Sequence, residues 1–253
     1  SRLLINELGN TDSKNTIVFS LQSSSISILL SKIMGFKIVV RNAEDPIYST
    51  LFADNKFIAT ITLLFKILTY SFSNGIITNS IGSKKSMNKL IFSNKKIISI
   101  YNPYLNNNIM IKAKKRKNII LAVGRLTKQK DFETLIKAFN LINKKISNYK
   151  LIILGDGKER EKLQKLINKF NLKNKIKIKG WTVNLKKYYS SSKIFVLSSI
   201  YEGLGNVLID ATNYRVPIIT TNCKSGPPEI VDFGKGGFLV PISNVPEMAK
   251  KIM

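Results

Sequence analysis

The chain has 253 residues, 44% of them hydrophobic, enough for one large domain or two of ordinary size, each with its own core. It has one cysteine, Cys223, and no histidine, which excludes an internal disulfide, a cysteine-based metal cluster, imidazole metal ligands and any Ser-His or Cys-His nucleophile pair. The net charge of +26 is spread along both halves, mostly as Lys among Asn, Ile and Ser, and argues for compositional bias and attraction to anionic membrane surfaces rather than for a nucleic-acid site.

The start, Ser1-Arg-Leu-Leu-Ile, shows neither an initiator Met nor a signal-peptide pattern, and the last residues stop inside a helical pattern, so a fragment cut at both ends is expected. Asn15–Leu21 reads as a strand, 25–34 as a helix closed by Gly35, and Phe36–Val40 as the next strand. Arg41–Pro46 reads as a polar loop. The apolar run Phe57–Phe72 is too short to span a membrane and carries Lys66, so a buried helix is expected. Gly75–Thr78 reads as a strand, 83–90 as a short helix and 96–100 as a strand. Residues 1–103 thus form one parallel α/β unit, and the Asn- and Lys-rich stretch 104–117 reads as a linker.

The alternation restarts over 118–253. Strands are expected at 118–123, 151–154, 176–180, 194–197, 217–220 and 237–240. Helices are expected after the cap Asp131, with Leu135, Phe139 and Ile142 as apolar face, over 159–170 and 185–191, just after Gly205, and from Pro246. The expected fold class is α/β: two doubly wound parallel-sheet, Rossmann-like domains facing a cleft, with ligands beyond the carboxyl ends of the strands. Arg125, Lys130, Gly155, Glu202 and Glu229 all fall in strand-to-helix loops.

The most informative loop runs from Ser198 to Asp210. An apolar strand meets Gly203-Leu204-Gly205, and Val207, Leu208 and Ala211 after it have helical spacing. Small residues let a ligand approach the backbone, and a helix N-terminus favours an anion. Glu202 and Asp210 flank this cradle and accept hydrogen bonds from hydroxyls, a combination that suits a nucleotide-sugar. The competing view is an ordinary turn with a solvated Glu202. Gly124-Arg125 and Lys130 place two cations at one strand end, and Arg forks onto phosphate oxygens. Lys130 taken alone reads better as a solvated surface cation. Glu229 reads either as a hydroxyl acceptor or as a first-turn helix acid.

Together these loops resemble the family 4, or group 1, glycosyltransferases with the GT-B fold. The matching motifs are Gly124-Arg-Leu-x-x-x-Lys130 with Leu135–Phe139, Gly155-Asp-Gly157, Glu202-Gly-Leu-Gly205, Val216–Thr220, Ser225-Gly-Pro-Pro-Glu229 and Gly236–Val240. The resemblance implies retaining transfer of a hexose-type sugar from a nucleotide-diphosphate donor to a saccharide or lipid-linked acceptor, in surface polysaccharide or glycoconjugate synthesis. The co-substrate is then a UDP-sugar before a GDP-sugar, with no other cofactor and no metal, since no Asp-x-Asp pair is present. By this analogy Arg125 and Lys130 hold the diphosphate, Glu202 meets the donor sugar and Asp210 the ribose. Gly124, Gly203, Leu204, Gly205 and Asn206 complete the donor site. Asp210 stands where the family has Glu, and Asp131 where it has Gly. The leaving phosphate oxygen takes the acceptor proton, so no side-chain base is needed. The acceptor is expected on residues 1–103, with Arg41 and Glu44 as candidates, and the enzyme in the cytoplasm at the inner membrane face. The alternatives are a nucleotide-sugar 2-epimerase of the same fold and a non-catalytic basic binding module.

Overall fold

The computed structural model describes residues 8–9, 11–21, 24–91, 96–103 and 116–253. The chain divides into two compact units, Ser1–Asn102 and Pro103–Met253. Both are α/β with parallel sheets. Among the described residues no helix is long and apolar enough to cross a membrane.

In the first unit β1 (Ile17–Ser20), β2 (Lys37–Asn42), β3 (Gly75–Thr78) and β4 (Ile97–Ser99) lie side by side in chain order, all parallel. The connections carry α1 (Ser24–Ile33), α2 (Pro46–Leu51), α3 (Lys56–Tyr70) and α4 (Ile81–Leu90). Ile28, Ile38, Val40, Ile76 and Met87 form the core. The polar stretch 41–46 is not a loop throughout. Arg41 and Asn42 pair with Ile77 and Thr78 and extend β2, and Pro46 opens α2. Asp45 caps that helix, its Oδ1 accepting from the amides of Ile47 and Tyr48 at 3.0 and 3.1 Å. Its other oxygen accepts from Ser86 Oγ at 2.7 Å, which ties α2 to α4. The Asp-Pro pair was the available signal.

α3 forms where the apolar run predicts a helix, but it is not buried. Only Thr69 and Tyr70 are enclosed, while Phe57, Ile61, Leu64 and Leu68 stay exposed. Apolar residues ring this helix instead of forming one stripe, so packing on α1 and α2 covers only part of them.

The second unit has six parallel strands in the order β7-β6-β5-β8-β9-β10, namely Ile176–Ile178, Lys150–Leu154, Lys117–Val123, Ser192–Leu197, Ile218–Thr221 and Phe238–Val240. This is the doubly wound order, and its direction reverses between β5 and β8. One face is covered by α5 (Phe132–Ile142), α6 (Arg160–Lys169) and α10 (Val245–Ile252) around Leu135, Phe139, Leu163 and Met248. The other face carries α7 (Leu185–Ser191) and α8 (Asn206–Asn213), where Tyr189 stacks on Phe195 and on Tyr214 with centroids 5.4 Å apart in each pair. A short α9 (Pro227–Ile230) lies in what reads as a loop.

Residues 104–115 of the expected linker lie outside the described residues. Lys117 opens β5, and Arg116 is tied into the second unit. Its guanidinium donates to the carbonyls of Ser192, Tyr214 and Arg215 at 2.7, 2.8 and 2.9 Å, closing the ends of two elements at once. Arg116→Met should lower stability by about 2 kcal/mol, the order expected for charge-assisted bonds to carbonyls. Urea unfolding checks this, and an unchanged midpoint would contradict it.

Candidate active site

The reversal between β5 and β8 leaves a crevice at their carboxyl ends, and the motif loops converge there. After β5 the chain runs Gly124-Arg125-Leu126 into a 3-10 turn, Lys128–Lys130. After β8 it runs through Ser198 to Gly205. The two loops are sewn together. Ser198 Oγ donates to Lys130 O at 2.7 Å, Ile200 N to Gln129 O at 2.8 Å and Gln129 Nε2 to Tyr201 O at 3.0 Å.

Lys130 and Glu202 form an ion pair across this seam. Their side chains are only 12% and 8% exposed, so neither is a solvated surface charge. Glu202 Oε1 also accepts from Ser199 Oγ at 2.7 Å, and the Glu202 carbonyl accepts from Ser225 Oγ at 2.7 Å. The Lys130 stem lies across Gly124, where a Cβ would stand 3.3 Å from Lys130 Cδ and Cε. Asp131 adopts a left-handed conformation (φ +44°) that Asp tolerates better than most residues, and caps α5 by accepting from Thr134 N at 3.2 Å. A non-glycine residue thus serves at that position.

Two glycines hold the loops at contact distance. A Cβ on Gly155 would fall 1.9 Å from the Gly124 carbonyl oxygen. One on Gly226 (φ +76°) would fall 2.6 Å from Leu204 Cα. The Gly155 loop therefore braces Gly124, and the Ser225-Gly226 loop braces Gly203 and Leu204. Gly205 (φ +88°) is the N-cap residue of α8 and has no side chain to cap it. Glu229 is a first-turn acid, its Oε1 accepting from Gly226 N at 3.3 Å.

Arg125 is exposed, and its guanidinium makes no ion pair or hydrogen bond among the described residues, while its carbonyl accepts from Thr127 N at 2.9 Å. It lines a cavity of about 290 Å³ with Gly124, Leu154, Asp156, Trp181 and Leu185. Trp181 is 78% exposed and forms an aromatic wall that the sequence reading passed over; a large aromatic directly after Gly180 in a strand-to-helix loop was the available signal. Asn206 is the first residue of α8. Asp210 lies one turn further on. Its charge, after burial, helps push the Tyr214 hydroxyl pKa up. The structure thus joins Lys130, Glu202 and the Gly203–Gly205 loop, sets Arg125 on the adjoining cavity, and leaves Asp210 on the flank of α8.

Behind Glu202, the buried Cys223 donates to Ser199 O at 3.2 Å. Burial pushes its thiol up to about 12, with the nearby Glu202 charge adding to the effect. The thiolate is the reactive form. Cys223 should therefore resist alkylation by iodoacetamide at pH 8 in the native protein and react after denaturation. Rapid native labelling would contradict this placement. Lys130→Met leaves Glu202 buried without its counter-charge and should cost about 3 kcal/mol in urea unfolding. Lys130→Met with Glu202→Gln should recover part of that loss.

The description "Glycosyl transferases group 1" matches residues 107–253. An uncharacterized glycosyltransferase of Haemophilus influenzae is 33% identical over 206 residues, covering 80% of this chain and 56% of the relative. The N-acetylgalactosamine-N,N'-diacetylbacillosaminyl-diphospho-undecaprenol 4-alpha-N-acetylgalactosaminyltransferase of Campylobacter jejuni is 30% identical over 223 residues, covering 85% and 60%. This chain therefore spans just over half the length of these curated relatives. A TarM variant of S. aureus, crystallised with fondaparinux, alpha-GlcNAc-glycerol and UDP, superposes with a TM-score of 0.81 at 21% identity over 99% of this chain and 50% of that one, which shows the shared GT-B fold. With the matched region covering more than half of its length, the chain belongs to the glycosyl transferases group 1 family.

Proposed function

We propose that this chain forms the donor-binding part, and a portion of the acceptor-binding part, of a retaining glycosyltransferase. It moves a hexose-type sugar from a nucleotide-diphosphate donor to a saccharide or lipid-linked acceptor. Residues 116–253 take the donor, 1–103 the acceptor side, and 104–115 connect them. The observation that carries this reading is the enclosed Lys130–Glu202 pair at the β5/β8 reversal, flanked by Arg125 and the start of α8 after Gly205.

In this reading Arg125, Lys130 and the α8 N-terminus meet the donor diphosphate. Lys130 exchanges Glu202 for phosphate oxygens, and Glu202 then accepts hydrogen bonds from the donor sugar. Asp210 serves the ribose. The cavity walled by Trp181 takes the nucleobase, and UDP in the TarM structure favours a uridine donor. The bond from C1 to the phosphate oxygen breaks, a bond from C1 to the acceptor oxygen forms, and the acceptor proton passes to the leaving phosphate. The cations stabilise charge that grows as the bond breaks. No metal is required in this scheme. The C. jejuni relative's acceptor is diphospho-undecaprenol-linked, which supports an acceptor presented at the cytoplasmic membrane face.

Steady-state kinetics on the full-length protein test the scheme. Arg125→Ala should lower kcat about 100- to 1,000-fold with a smaller change in KM, because its help is greatest in the transition state. Arg125→Lys should recover part of this. Lys173→Ala, an exposed lysine away from the loops, should do little. Equal effects of Arg125→Ala and Lys173→Ala would defeat the assignment. Activity should survive excess EDTA, and loss restored by Mg²⁺ would defeat the metal-free scheme. Isomerisation of the donor without transfer would instead identify an epimerase.

A further inference from the structure

A second cavity, of about 540 Å³, lies wholly within the first unit at the carboxyl ends of β1 and β2. Its lining combines Arg41, Asn42, Glu44 and Lys66 with Ser24, Ser25, Phe65 and Tyr70. Lys66 rises from α3, is half-buried, and holds its ammonium above the Tyr70 ring at 5.6 Å. Asn42 is buried and used twice. Its Oδ1 accepts from Lys66 Nζ at 3.0 Å, and its Nδ2 donates to the Glu44 carbonyl. Among the described residues this is the ammonium's one hydrogen bond, so two of its three donors remain unmet beside the cavity. Burial pushes the Lys66 pKa down, and the Glu44 charge opposes that shift. The two remaining donors are left for solvent or for a ligand in the cavity. Arg41 adds a second cation, held by its bond to Asn102. The Glu44 carboxylate is exposed at the rim and makes no hydrogen bond among the described residues.

We infer that this cavity binds the phosphoryl group of a sugar phosphate, with Lys66 and Arg41 on the phosphoryl oxygens and Glu44 accepting hydrogen bonds from the sugar hydroxyls. Two cations against one rim carboxylate match a phosphorylated sugar better than a neutral one. Phe65 and Tyr70 supply apolar surface for the C–H face of the ring. A hydrogen-bonded ion pair to phosphate gives Lys66, set among Phe65, Ile67 and Leu68, a partner within the cavity. The inference rests on the transferase reading for its biological sense, since such a ligand would be the acceptor, but the binding itself does not require it. The same chemistry comes from a soluble sugar phosphate or from a lipid-linked sugar diphosphate.

The test is calorimetry on the full chain with UDP saturating, so that the Arg125 site is blocked. The probes are N-acetylglucosamine 1-phosphate, its neutral methyl glycoside, and a polyprenyl diphosphate-linked N-acetylglucosamine in detergent micelles. The expected result is tighter binding of a phosphorylated probe than of the glycoside. Lys66→Met should weaken it about tenfold or more, Lys66→Arg should keep most of it, and UDP affinity should stay unchanged in both. Lys66-dependent binding of the soluble probe supports a soluble source, and of the micellar probe alone a lipid-linked source. Equal binding of phosphate and glycoside, or indifference to Lys66→Met with circular dichroism unchanged, overturns the inference. Failure of UDP to bind the wild-type chain is a separate result and counts against the donor-site reading instead.

Discussion

The site of the second unit depends on one interaction, the enclosed ion pair of Lys130 with Glu202, whose partners are 72 residues apart. Burying two charges is costly, and the pair persists because each partner is further held. Ser199 supplies another donor to the carboxylate, and the backbone of each loop bonds to the other. The pair in turn joins the loops after β5 and β8, the two strands where the sheet changes direction. A polar, water-poor point is thereby created at the place where a doubly wound sheet leaves a crevice.

What makes that point available to a ligand is the scarcity of side chains around it. Gly155 and Gly226 let neighbouring loops run in backbone contact, and any Cβ there would collide with main-chain atoms that have nowhere to move. The loops are thus held in fixed positions around Lys130 and Glu202, while Arg125 beside them is exposed.

The first unit obeys a different balance. Its four parallel strands have a compact core, yet α3 keeps most of its apolar residues in solvent. Lys66 on that helix is half-buried and bonds to Asn42 at the carboxyl end of β2. Both units therefore place a hydrogen-bonded lysine at the same end of their sheets, the end at which parallel strands release their loops.

Most of the fold was legible in the residues themselves. Alternating apolar runs and helical spacing located the strands of both units, because a strand buried on two faces must be apolar throughout. Glycine pairs marked the loops that need close approach, and motif order identified the family-like second half. The extension of β2 through Arg41 and Asn42, and the short helix at Pro46, went unread because polar residues there serve pairing and capping rather than a core. The burial of α3 was overestimated, since hydropathy counts apolar residues but not the surface available to cover them. The tertiary structure alone decided that Lys130 meets Glu202, that Trp181 walls the cavity beside Arg125, and that Lys66 faces Asn42. Local sequence fixes periodicity and backbone preference over a few residues. Which charges become neighbours, and lose their water, follows from strand order, which only the folded chain establishes.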